Sequence, residues 1–146
     1  MKSTRLLATV LLSFPSVALA GFKLPSKVFE LENLEVAKTE AAAKGKPLSI
    51  LYTDKDSTCP LCNHASTTMI KELGSKTIMV YVTDINSLPQ PVKEALSAGK
   101  YIPKIAVFDD KLETALGTVT YEAVKENART AFRGVDKAIR EYKKEE

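Results

Sequence analysis

Apolar positions recur along this chain with two alternating periods, and their order predicts a set of elements. Lys27 to Leu31 reads as a short first strand. Leu34 to Lys44 follows at helical spacing, with Leu34, Ala37 and Ala41 on one face and Gly45 and Pro47 ending the run. Leu48 to Thr53 is a mostly apolar stretch of strand length, of the kind buried on both faces of a sheet. The polar loop Asp54-Lys55-Asp56-Ser57-Thr58 leads into a second helix, with Cys62, Ala65, Met69 and Leu73 on one face and Gly74 as its terminator. Thr77 to Asp84 is β-branched and aromatic, a strand pattern. Pro91 opens a short helix with Val92, Ala95 and Leu96 inward and Gly99 as its cap. Lys104 to Asp109 and Ala115 to Tyr121 read as a hairpin across an Asp109-Asp110-Lys111 turn. Val124, Ala128, Phe132, Val135, Ile139 and Tyr142, at spacings of three and four, predict one long closing helix.

Strands alternating with helices imply a parallel sheet segment, and the hairpin adds antiparallel edge strands. The expectation is an α/β domain: a central mixed β-sheet of four to five strands flanked by helices on both faces.

The first 20 residues stand apart from this pattern. Lys2 and Arg5 form a basic start, Leu6 to Phe14 is mostly apolar, and Ala18-Leu19-Ala20 matches a small-x-small cleavage site. Residues 1–20 are therefore expected to be a bacterial-type signal peptide, and residues 21–146 a soluble domain exported to the periplasm or secreted. The apolar run is too short to span a bilayer, so no membrane insertion is expected after cleavage. Removing Lys2 and Arg5 lowers the formal net charge from +3 to +1. With acidic and basic residues interleaved in this way, neither nucleic acid nor an anionic membrane surface is an expected partner.

The chain has two cysteines, in the sequence Cys59-Pro60-Leu61-Cys62, at the predicted strand-to-helix junction. One helical turn brings the two Cα atoms within disulfide range, so a small ring can close and reopen without moving the fold. The first sulfur sits where unpaired N–H groups and the positive end of the helix favour a thiolate. Pro60 suits the first helical position, where its missing N–H costs nothing. A structural staple acts chiefly by closing a long loop, and this pair closes a very short one. Redox chemistry is the better reading.

With Cys59-Pro60-Leu61-Cys62 after the first long strand and Tyr101-Ile102-Pro103-Lys104-Ile105-Ala106-Val107-Phe108 entering the hairpin, the chain resembles the thioredoxin-like superfamily from about Lys27 to Tyr142. The resemblance implies a thioredoxin-like fold and a cis peptide bond at Pro103 beside a redox-active Cys59–Cys62 disulfide. It also implies that Cys59 is the nucleophile and Cys62 the resolving thiol, and that the Ile102 backbone hydrogen-bonds an extended substrate segment.

The sequence departs from that family in several places. Leu51 stands where thioredoxins carry a buried aspartate, and Asp54 and Asp56 read as solvated loop charges. Lys104 follows Pro103 in place of the usual threonine; it either lowers the Cys59 pKa or points outward at the strand start. His64, the single histidine, invites metal-ligand or base roles, but helical spacing turns it away from Cys62, Ala65 and Met69, so a solvated surface position is expected.

The leading expectation is a thiol–disulfide oxidoreductase exchanging disulfides with protein substrates and resetting through a redox partner protein. No Gly-rich nucleotide motif is present, and no cofactor or resident metal is expected. The alternative is a non-catalytic thioredoxin-fold accessory protein, its cysteines kept as a clip or used for transient copper handling.

Overall fold

The computed structural model describes residues 22–145; the expected signal peptide lies outside the described residues. Five strands run β1 (Phe29–Glu30), β2 (Leu48–Tyr52), β3 (Ile78–Val82), β4 (Lys104–Phe108) and β5 (Ala115–Thr120). Five α-helices accompany them: α1 (Leu34–Lys44), α2 (Pro60–Leu73), α3 (Gln90–Leu96), α4 (Tyr121–Ala131) and α5 (Arg133–Glu145). The sheet order is β1-β3-β2-β4-β5. β1 and β2 pair parallel with β3, β4 pairs antiparallel with β2, and β5 closes the edge antiparallel to β4. This is a thioredoxin-like α/β fold.

The central strands are apolar along their whole length because both sheet faces are covered. Leu51, Met79, Tyr81, Ile105, Val107 and Val119 form one core with residues of α2, α4 and α5. Leu48, Ile50, Val80, Val82, Ala106 and Phe108 form the other with α1 and α3. On that second face Ala37 and Ala41 are fully buried, their small side chains letting α1 lie close to the sheet. Gly45 ends α1 in the left-handed conformation (φ 56°), which a residue without a Cβ adopts at no steric cost.

The expected single closing helix is interrupted at two points: α4 gives way to α5 at Phe132, and α4 is itself kinked at Asn127. Asn127 is non-helical (φ −158°, ψ 98°), and its Oδ1 accepts the N–H groups of Arg129 and Thr130 at 3.1 and 3.3 Å. A short amide side chain that caps a new turn competes with helix continuation, and here it wins. The apolar stripe survives the break: Val124, Phe132, Val135 and Ile139 all reach the same core. Two smaller differences are a 3-10 turn at Leu31–Asn33, where the first strand was expected to extend to Leu31, and the end of α3 at Ser97 instead of Gly99.

Candidate functional site

Cys59 is the N-cap of α2, with extended backbone (φ −75°, ψ 108°) and Pro60 in the first turn. Its Sγ accepts the Cys62 N–H at 3.2 Å, a bond that helix starts otherwise satisfy with Ser, Thr, Asp or Asn oxygens. Cys59 and Cys62 form a disulfide across this first turn, with Cα atoms 5.3 Å apart. The local position makes the two sulfurs unequal. Only the Cys59 sulfur occupies the capping position, where helix N–H groups and the dipole stabilise negative charge once the bond is reduced.

The loop entering the helix is locked by side-chain bonds. The Cys59 N–H donates to Ser57 Oγ at 3.2 Å, and Asn63 Nδ2 donates to the Ser57 carbonyl at 2.9 Å. Asp54 Oδ1 accepts the Asp56 N–H at 2.9 Å, and both aspartates are exposed. Leu51 is fully buried in the core beneath the helix with Ala65 and Met69. The polar pair beneath α2 is instead Thr53 and Ser66, both buried, whose hydroxyls meet at 2.8 Å. Ser66 lies four residues past Cys62, one turn along the same face. A threonine at a strand end and a serine one turn past the second cysteine were the only sequence signals for this pair.

Cys59 and Cys62 are both half-buried. Burial on this face of α2 begins one turn later, at Ala65, so Cys62 borders a surface groove instead of entering the core. The capping bond accepted by the Cys59 Sγ is the difference between the two cysteines that the geometry shows.

The Ile102–Pro103 peptide bond is cis. Ile102 and Cys62 line one cavity of about 410 Å³, together with Tyr101, Tyr121 and Lys125. Pro103 is buried, Ile102 is half-buried, and no hydrogen bond engages the Ile102 backbone among the described residues. The three residues before Ile102 are held from both sides by charged side chains. Glu122 Oε1, in the first turn of α4, accepts the N–H groups of Lys100 and Tyr101 at 2.7 and 3.1 Å. Lys104 Nζ donates to the Gly99 carbonyl at 2.8 Å. Gly99 takes φ 72°, and a Cβ there would meet Glu122 Oε2 at 2.7 Å, so the clamp requires a residue without one. Glu122's own N–H, then those of Lys100 and Tyr101, hold its carboxyl below the ordinary carboxylate range against the opposing effect of burial.

Lys104 is buried with its ammonium on Gly99, and strand alternation puts it on the sheet face of Ala106 and Phe108, opposite α2. It therefore neither points into solvent nor approaches Cys59 from the α2 side; it fixes the loop before Pro103. His64 is exposed on α2. Among the described residues no group of three or more His, Cys, Asp or Glu side chains could hold a metal ion. No described helix is long and apolar enough to cross a membrane.

Sequence spacing carries no signal for Glu122 and Lys125 at this site, and Tyr121, expected to end the last strand, opens α4 instead. They belong to a helix whose apolar stripe attracted attention, and only the closing of β5 against β4 brings its first turn to the cysteines. No protein-family model and no curated protein matches this chain.

Proposed function

We propose that this protein is an exported thiol–disulfide oxidoreductase acting on protein substrates through the Cys59–Cys62 couple, in the direction of reduction or repair. The observation that carries this reading is the Cys59 sulfur serving as the N-cap of α2, bonded to the Cys62 N–H, with its disulfide partner one turn away. In the reduced protein the Cys59 thiolate attacks one sulfur of a substrate disulfide and expels the other as a thiolate. Cys62 then attacks the Cys59 sulfur of the mixed disulfide, releasing the second substrate thiolate and closing the Cys59–Cys62 bond. Two electrons pass to the substrate, and a dithiol partner protein returns them. The unpaired Ile102 backbone supplies a place for an extended substrate segment beside the reacting sulfurs. Export through residues 1–20 and residence in the periplasm belong to the same reading.

The direction rests on what surrounds the thiolate. Leu61 offers neither charge nor hydrogen bond, and the Lys104 ammonium is bound to Gly99, so the helix terminus acts on Cys59 without added cationic help. A moderately stabilised thiolate gives a potential nearer that of reducing thioredoxins, about −270 mV, than that of dedicated disulfide donors, about −120 mV. Equilibration of the protein with dithiothreitol or glutathione buffers measures it. A potential as oxidising as the donors overturns the direction, and a pair that never exchanges with either buffer overturns the function.

A further inference from the structure

Two adjoining cavities extend from the disulfide along α4. The larger holds Cys62 and Ile102; the second, about 210 Å³, runs past Leu61 and His64 toward Ala128, and Tyr121 and Lys125 line both. Among the described residues, three large apolar side chains are strongly exposed, and two of them sit here: Leu61 at 60% and Tyr101 at 52%. Exposed apolar groups concentrated at one place mark a contact surface. Tyr101 and Tyr121 meet edge to face with ring centroids 6.2 Å apart, forming an aromatic wall.

The formally charged side chain that lines both cavities is a lysine, Lys125. Lys125 is exposed and makes no ion pair among the described residues, His64 borders the same cavity, and Lys100 lies over the Tyr101 ring at 5.4 Å. No carboxylate lines either cavity among the described residues. The Glu122 carboxylate, in the first turn of α4, accepts the Lys100 and Tyr101 N–H groups.

Resting on the oxidoreductase reading, we infer that the groove selects its substrate. It takes an extended peptide segment whose cysteine is accompanied by an aromatic or branched apolar side chain, seated against Tyr101, Tyr121 and Leu61, and by a carboxylate paired with Lys125. Lys125 and Tyr121 are specificity determinants; neither takes part in the sulfur chemistry.

The test uses the reduced full domain carrying Cys62→Ser, so that attack by Cys59 on a symmetric disulfide stops at the mixed disulfide and releases one thiolate. The probes are disulfide-linked homodimers of three short peptides: one with tyrosine and glutamate flanking cysteine, one with lysine for the glutamate, one with glycine for the tyrosine. Mass spectrometry reads the rate of each, divided by the rate with neutral bis(2-hydroxyethyl) disulfide. The tyrosine–glutamate peptide should react about fivefold to tenfold faster than either of the others, the effect of roughly 1 kcal/mol per contact. Lys125→Glu should reverse the glutamate–lysine preference, Lys125→Gln should abolish it, and Tyr121→Ser should remove the tyrosine preference. Equal ratios for all three peptides, with the hydroxyethyl disulfide reacting normally, overturn this inference and leave the oxidoreductase reading standing. Failure of the hydroxyethyl disulfide itself overturns both.

Discussion

The two faces of the sheet do different work, and their packing differs accordingly. Against α1 and α3 the core is closed: Leu48, Ile50, Val80, Val92, Leu96 and Phe108 are all at or near full burial. Its polar side chains include Lys104, buried at the strand start, and Thr118, whose hydroxyl donates to the Ala95 carbonyl of α3 at 3.3 Å. Against α2, α4 and α5 the packing is interrupted. Hydroxyl pairs stand within it, Ser49 with Thr77 at 2.7 Å and Thr53 with Ser66 at 2.8 Å. The cysteines stay half-buried, α4 is broken at Asn127, and a groove remains open between α2, α4 and the loop before Pro103. The closed face stabilises the domain, and the stability it supplies allows the other face to leave sulfur and unpaired backbone accessible.

The two faces should respond separately to substitution. The largest effect belongs to the closed face: Phe108→Ala should cost about 3–5 kcal/mol in urea unfolding. It should leave the alkylation rate of Cys59 in the folded protein unchanged; altered thiol kinetics would mean that the two faces are not independent.

A smaller effect is expected at the clamp on the open face. Glu122→Gln should cost about 1 kcal/mol by weakening charge-assisted bonds to the Lys100 and Tyr101 N–H groups. Because those bonds lower the folded-state pKa of Glu122, its contribution is complete above the ordinary carboxylate range and is lost as pH falls through the lowered value. The stability gap between the unaltered chain and the variant should therefore narrow in acid; a gap that widens there contradicts the clamp.

The smallest effect lies at Tyr81. Burial pushes its phenol above 10.0, against the Lys55 N–H that donates to the phenol oxygen at 3.1 Å. The unfolded chain ionises first, so stability should fall as pH rises through the ordinary tyrosine value, and Tyr81→Phe should flatten that decline.

Much of the fold was legible along the chain because its signals are local. Gly45, Gly74 and the apolar strands set element order, and α1 occupies the predicted Leu34–Lys44. The cysteine pair was legible for the same reason, being one helical turn of contiguous residues. The break at Asn127 was not, because the apolar spacing continues across it while the decision rests on a side-chain cap. Nor was the environment of Lys104, whose ammonium is drawn to a carbonyl that the loop presents only after it folds back. The Glu122 clamp joins residues 21 and 22 positions apart, and Tyr121 reaches Cys62 across the groove. Such contacts are products of the topology and leave no trace in spacing.

The central claim is that position at the start of α2 makes Cys59 the reactive thiol. Alkylation of the reduced protein with iodoacetamide across pH 4 to 10, with the modified residue located by peptide mass, tests it directly. Cys59 should react first, with a midpoint below the free-cysteine value of about 8.5, and unfolding in urea should erase the advantage. Preferential modification of Cys62, or a Cys59 midpoint no lower in the folded protein than in urea, would contradict the account.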